Sequence, residues 1–164
     1  MLDRDMMRAR ADGATREPVM SEAAGPESAR ITATARAIAE AESYFVARDG
    51  LQFAGTHLIL DLWDASRLDD EDLVERTMRQ ASEAAGATLL RLDLHAFPNP
   101  GGITGVALLA ESHISIHTWP ERGYAAIDIF MCGRAEPHKA VEVIRSAFAP
   151  GAITLVEHKR GLMP

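Results

Sequence analysis

One cysteine in 164 residues leaves no partner for an internal disulfide and too few thiolates for a multi-cysteine zinc or iron–sulfur centre. Aromatic residues are scarce at 5%, and 17 basic residues face 24 acidic ones, for a formal net charge of −7. That balance argues against a general nucleic-acid binder, which needs a basic face. No stretch approaches the roughly 18 consecutive apolar residues of a membrane span. The first 29 residues lack the apolar centre of a secretory signal and carry too many acids for a transit peptide. These absences point to a reducing, cytoplasmic setting with neither nucleic acid nor membrane as partner. What is present is a chain that is 47% hydrophobic, enough at this length to bury the core of one domain.

Met1 to Ala29 mixes Asp3, Arg4, Asp5, Arg8, Arg10 and Asp12 with Gly13, Pro18, Gly25 and Pro26, without a sustained apolar period. A disordered tail is expected over residues 1–29. Residues 30–50 read as an extra helix. Ile31, Ala35, Ile38, Phe45 and Val46 fall near a 3.6 period up to Ala47, Glu42 interrupts the stripe, and Asp49-Gly50 ends it. The remaining chain, residues 51–164, forms the main domain.

There, His57–Trp63 predicts a strand, and Asp70–Ala85 a helix with acids in its first turn and Gly86 at its end. Thr88–His95 alternates, with Thr88, Leu90, Leu92 and Leu94 on one face and Leu89, Arg91, Asp93 and His95 on the other. After the turn-rich Pro98–Gly102 come strands near Ile103–Ala110, His113–Thr118 and Tyr124–Met131, the last two joined as a hairpin by Trp119–Gly123. Pro137 opens a second helix that Pro150-Gly151 stops, and Ile153–His158 is the last strand. Strands grouped with a helix on either side predict an α/β fold of the α+β kind. The expected form is a two-layer sandwich of a mostly antiparallel sheet with helices on one face.

The unusual segment is Glu111-Ser112-His113-Ile114-Ser115-Ile116-His117-Thr118-Trp119-Pro120-Glu121. As a plain strand it buries Ile114 and Ile116 and wets its polar residues. As a metal site it pairs His113 with His117, with His57, His95 or Cys132 in support. Four residues of strand span about 13 Å, however, far for two ligands of one ion. As a serine hydrolase it lacks the glycines of a nucleophile elbow around Ser112. As a self-cleaving bond it offers a serine hydroxyl to attack the preceding carbonyl, with histidine to move the proton. Elimination from the resulting ester then leaves a pyruvoyl group.

This run, with Gly123-Tyr124-Ala125-Ala126-Ile127-Asp128-Ile129-Phe130 and Cys132-Gly133 after it, resembles the prokaryotic S-adenosylmethionine decarboxylase proenzymes. Gly55-Thr56-His57-Leu58, His95-Ala96-Phe97 and Val156-Glu157-His158 extend the likeness over roughly residues 55 to 160. The resemblance implies cleavage between Glu111 and Ser112 and a pyruvoyl cofactor derived from Ser112, with no metal. His117 would be the processing histidine and Cys132 the catalytic proton donor. Thr104 stands where the family usually has a serine that assists processing, its added methyl narrowing the rotamers. Phe97 would stack on adenine and Glu121 would hold the ribose hydroxyls. The substrate would be S-adenosylmethionine, decarboxylated through a Schiff base to the aminopropyl donor of spermidine synthesis. The same chemistry on arginine or ornithine, and a non-catalytic binding or regulatory homologue, remain as alternatives. A catalytic cysteine suits this role if neighbouring histidines tune its pKa toward neutrality.

One expectation is geometric. On a regular strand Ser112 and His117 stand about 17 Å apart and on opposite faces. A homodimer of cleaved protomers with shared active sites follows, Ser112 and Cys132 of one protomer meeting His117, Thr104, Phe97 and Glu121 of the other. A bulge between Ser112 and His117 is the other way to bring them together.

Overall fold

A computed structural model describes residues 45–99 and 101–163. The tail expected over residues 1–29 and most of the helix expected over residues 30–50 lie outside them. The described end of that helix is not helical. Val46–Arg48 (β1) pairs antiparallel with Leu51–Phe53 (β2) in a separate two-stranded sheet. Asp49 and Gly50, at φ of 53° and 78°, make the tight turn between them. Asp-Gly is a strong hairpin signal as well as a helix stop, and here the hairpin wins.

Six strands form the main sheet: Gly55–Trp63 (β3), Leu89–Ala96 (β4), Ile103–Leu109 (β5), Ser112–Trp119 (β6), Tyr124–Cys132 (β7) and Ala152–Arg160 (β8). Their spatial order is β4-β5-β6-β7-β3-β8, and every pairing is antiparallel. Between β3 and β4 runs helix α1 (Glu71–Ala84), and between β7 and β8 helix α2 (Pro137–Phe148). Asp70 caps α1, its carboxylate accepting from the Leu73 N–H at 2.9 Å, and Glu71 and Asp72 favour the helix start electrostatically. Pro137 opens α2, where its missing N–H costs nothing, and Ala149 ends it in the left-handed region.

Both helices lie on one face of the sheet. Leu73, Val74, Met78 and Ala81 of α1 and Val141, Ile144 and Phe148 of α2 bury against Leu58, Leu60 and Leu62, Ile114 and Ile116, and Ile127 and Ile129. Each fully buried large side chain contributes about 1.5–3 kcal/mol. The alternation expected along β4 breaks at one point. A β-bulge between Leu89 and Arg91 shifts the register, so Leu89, Leu92 and Leu94 turn inward while Leu90 is 61% exposed.

The opposite face carries no helix among the described residues. It presents Thr104, Val106 and Leu108 of β5, His113, Ser115, His117 and Trp119 of β6, and Asp128 and Phe130 of β7. The candidate chemistry sits on this open face and at the sheet end where β6 begins.

Candidate active site

The residues singled out in the sequence fall into two groups. The first is at the turn from β5 to β6. Leu109 pairs with Ser112, so Ala110 and Glu111 alone make the hairpin loop. Ser112 begins β6 on its buried side, and its Oγ accepts a hydrogen bond from the Cys132 N–H at 3.1 Å. Cys132 ends β7 opposite Gly55 and is partly exposed. Burial, and then the charge of Glu111, push its thiol above the ordinary value. Neither cause is a histidine. The thiol stays protonated, the state in which it can give a proton.

Beside this group, on the open face, lie His57, His113 and Phe130. The two imidazoles are 6.4 Å apart between centroids, and His113 is 5.8 Å from Phe130. Arg160 reaches His57 Nδ1 at 3.2 Å, and a guanidinium only donates, so in the neutral ring Nδ1 accepts and Nε2 carries the proton. That Nε2 faces Asp128 Oδ1 at 3.3 Å, while Asp128 Oδ2 accepts from the Ser115 hydroxyl at 3.3 Å. His113 titrates below its ordinary value, first through burial and then through the charge of His57, with Asp128 opposing.

The second group lines a hollow of about 270 Å³ formed by Phe97, Asn99, Gly102, Thr104, His117, Thr118, Trp119 and Glu121. Thr104 and His117 are cross-strand partners, with Oγ1 and Nδ1 3.0 Å apart. Phe97 packs edge-on against His95 at 4.7 Å. Glu121 sits in the 3-10 turn Pro120–Arg122. An aromatic ladder continues from the hollow, Trp119 to Tyr124 at 5.2 Å and Tyr124 to Trp63 at 4.5 Å. The Tyr124 hydroxyl donates to Asp61 at 2.6 Å, and that bond, with burial behind it, pushes the phenol up to about 12. A larger hollow, about 460 Å³, opens between α1 and α2 but holds none of these residues.

The two groups stay apart within one chain. Pairing of β6 with β5 runs without a shift from Ser112 to His117, so no bulge brings these residues together. Ser112 turns to the helix side and His117 to the open side. His113 and His117 share the open face but are separated along the strand, and no group of three or more metal-ligating side chains occurs among the described residues. Sequence reasoning passed over Trp119 and Asn99 as walls of the hollow, and over the His57–Asp128–Ser115 chain. Trp119 was legible in principle, since it lies two residues beyond His117 and shares its face; the chain was not, because its members come from three strands.

The fold is also that of a solved enzyme. The crystal structure of the adenosylmethionine decarboxylase from Aquifex aeolicus matches with a TM-score of 0.60 and 33% identity, over 68% of this chain and 94% of that one. The S-adenosylmethionine decarboxylase proenzyme of Methanococcus aeolicus is 47% identical over 116 residues, 69% of this chain and 98% of the relative. That of Parasynechococcus marenigrum is 56% identical over 94 residues, 56% of this chain and 73% of the relative. Residues 56–161 match the S-adenosylmethionine decarboxylase family. The chain belongs to that family.

Proposed function

We propose that this protein is a self-processing, pyruvoyl-dependent decarboxylase of S-adenosylmethionine, working in the cytoplasm and supplying the aminopropyl donor for spermidine synthesis. The observation that carries this reading is the contact at the processing bond, where the Ser112 hydroxyl oxygen is held by the Cys132 N–H. Ser112 Oγ attacks the Glu111 carbonyl carbon. The C–N bond breaks, a C–O bond forms, and the hydroxyl proton passes to the nitrogen. Loss of the Ser112 Cα proton then expels Glu111 as a carboxylate, and water displaces ammonia from the dehydroalanine to complete the pyruvoyl group.

The residues present fit that group. Ser112 begins a strand at an exposed turn, and the Cys132 thiol lies at the end of the neighbouring strand. When formed, the group supplies an electron sink for the electrons released with carbon dioxide. Cys132, kept protonated, returns a proton to the substrate Cα. Thr104 orients His117, which moves the proton during processing. Phe97 stacks on the adenine, Glu121 accepts from the ribose hydroxyls, and the aromatic walls favour the cationic sulfonium.

Because Ser112 and His117 face away from each other and no bulge brings them together, the working unit is a homodimer in which two protomers related by a two-fold axis complete each site.

A denaturing mass spectrum of the purified protein tests the reading. Cleavage before Ser112 leaves a downstream chain of 53 residues, so fragments of about 12 and 6 kDa are expected. The smaller should have a ketone-bearing, blocked terminus, and Ser112→Ala should give one intact chain. Release of labelled carboxyl carbon from S-adenosylmethionine, but not from arginine or ornithine, fixes the substrate. An uncleaved wild type with full turnover would overturn the proposal.

A further inference from the structure

We infer that the β5–β6 hairpin holds Glu111 in a strained conformation that drives cleavage of the bond after it. The inference rests on the self-processing reading and assigns the turn a positioning role within it.

Glu111 has a φ of +58°, in the left-handed region. There the Cβ crowds the following carbonyl oxygen, a cost that glycine escapes and glutamate does not. The loop has only two residues, and the groups on either side of Glu111 are held in place. Leu109 and Ser112, on either side, are buried as the closing pair. The Ala110 N–H donates to the Thr88 carbonyl at 2.9 Å, and Ser112 Oγ accepts from the Cys132 N–H. Four other non-glycine residues among those described share this backbone region, but none of them precedes the processing bond. Strain of this kind persists only where the surroundings enforce it.

The chemistry releases that enforcement. In the peptide a single atom, the Ser112 nitrogen, links the Glu111 carbonyl carbon to the Ser112 Cα. In the ester two atoms, Oγ and Cβ, make the same link. The slack lets residue 111 leave the left-handed region, so the amide-to-ester step, unfavourable for an ordinary peptide, gains the stored strain. Elimination then frees Glu111 entirely as a chain terminus.

Three substitutions separate strain from charge. Glu111→Gln and Glu111→Ala remove the carboxylate but keep a Cβ, whereas Glu111→Gly removes both. Freshly synthesised full-length precursors followed on denaturing gels should show Glu111→Gly cleaving roughly fivefold more slowly than Glu111→Ala, the factor for about 1 kcal/mol of strain. Glu111→Gln should cleave at the Glu111→Ala rate. In a Ser112→Ala background, where nothing cleaves, Glu111→Gly should melt at a higher temperature than Glu111→Ala. If the wild type cleaves and Glu111→Gly cleaves as fast as Glu111→Ala, or if Glu111→Gly brings no gain in melting temperature, the inference fails alone. If the wild type never cleaves, the self-processing reading fails and takes the inference with it.

Discussion

The proposed role of Cys132, returning a proton to carbon, needs a thiol, and two causes in the structure favour that form. Burial is the larger and the Glu111 charge the second. Alkylation by iodoacetamide in the uncleaved Ser112→Ala protein should therefore have its pH midpoint above that of a free cysteine. Glu111→Gln should move the midpoint down only part of the way, since burial remains; an unshifted wild-type midpoint would contradict this account. The Thr104–His117 hydrogen bond gives a second prediction at this scale. Thr104→Val removes the partner of Nδ1 and should slow processing by roughly tenfold, the upper end for one such bond. Thr104→Ser, which keeps the hydroxyl and drops the rotamer-narrowing methyl, should process at least as fast as the wild type.

At the scale of elements, the hollow depends on how one buried threonine ties a loop to a strand. Thr118 Oγ1 accepts from the Ile103 N–H and donates to the Leu68 carbonyl, both at 2.8 Å. Thr118→Val keeps the shape but leaves both backbone groups unsatisfied. It should destabilise the fold by about 1–3 kcal/mol in urea titration, while Thr118→Ser should cost much less. Neighbouring Gly102 lies so close to this strand that an added Cβ would meet the Thr118 carbonyl oxygen at 2.6 Å. Strand β6 also carries a pH dependence. The folded chain holds His113 below 6.5, so it resists a proton that the unfolded chain accepts. Stability present above pH 6.5 is therefore lost as pH falls through and below that value. His113→Gln should flatten this fall in a melting series from pH 7.5 to about 5.

At the scale of the whole molecule, the open sheet face exposes Ile59, Trp63, Val106, Leu108, Trp119 and Val156, each between 37% and 50% accessible. Apolar side chains gathered on one face mark an interaction surface. The proposed dimer covers them and completes each site with residues of both protomers. Mixing inactive Ser112→Ala with inactive His117→Ala by co-refolding should restore activity to about a quarter of wild type. That is the statistical share when half the dimers are hybrids and each hybrid has one complete site. Hybrid dimers that form yet neither process nor turn over would refute the shared site.

The main-domain strands and both helices were legible because their apolar residues repeat with periods near 2 and 3.6, a local property. The β1–β2 hairpin was not, since three-residue strands show no period and Asp-Gly marks helix ends and hairpin turns alike. The bulge that exposes Leu90 was hidden for a related reason: a one-residue shift is a matter of pairing with β5. In the site, the sequence by itself determined the chemical inventory, namely a hydroxyl after Glu111, an imidazole, a lone thiol and a family motif. Only the tertiary structure decided which of these meet. Register places Thr104 against His117, the Cys132 N–H on Ser112 Oγ, and Ser112 and His117 on opposite faces of one strand. Contacts between residues distant in the chain arise from backbone pairing and burial, which the order of side chains encodes only collectively.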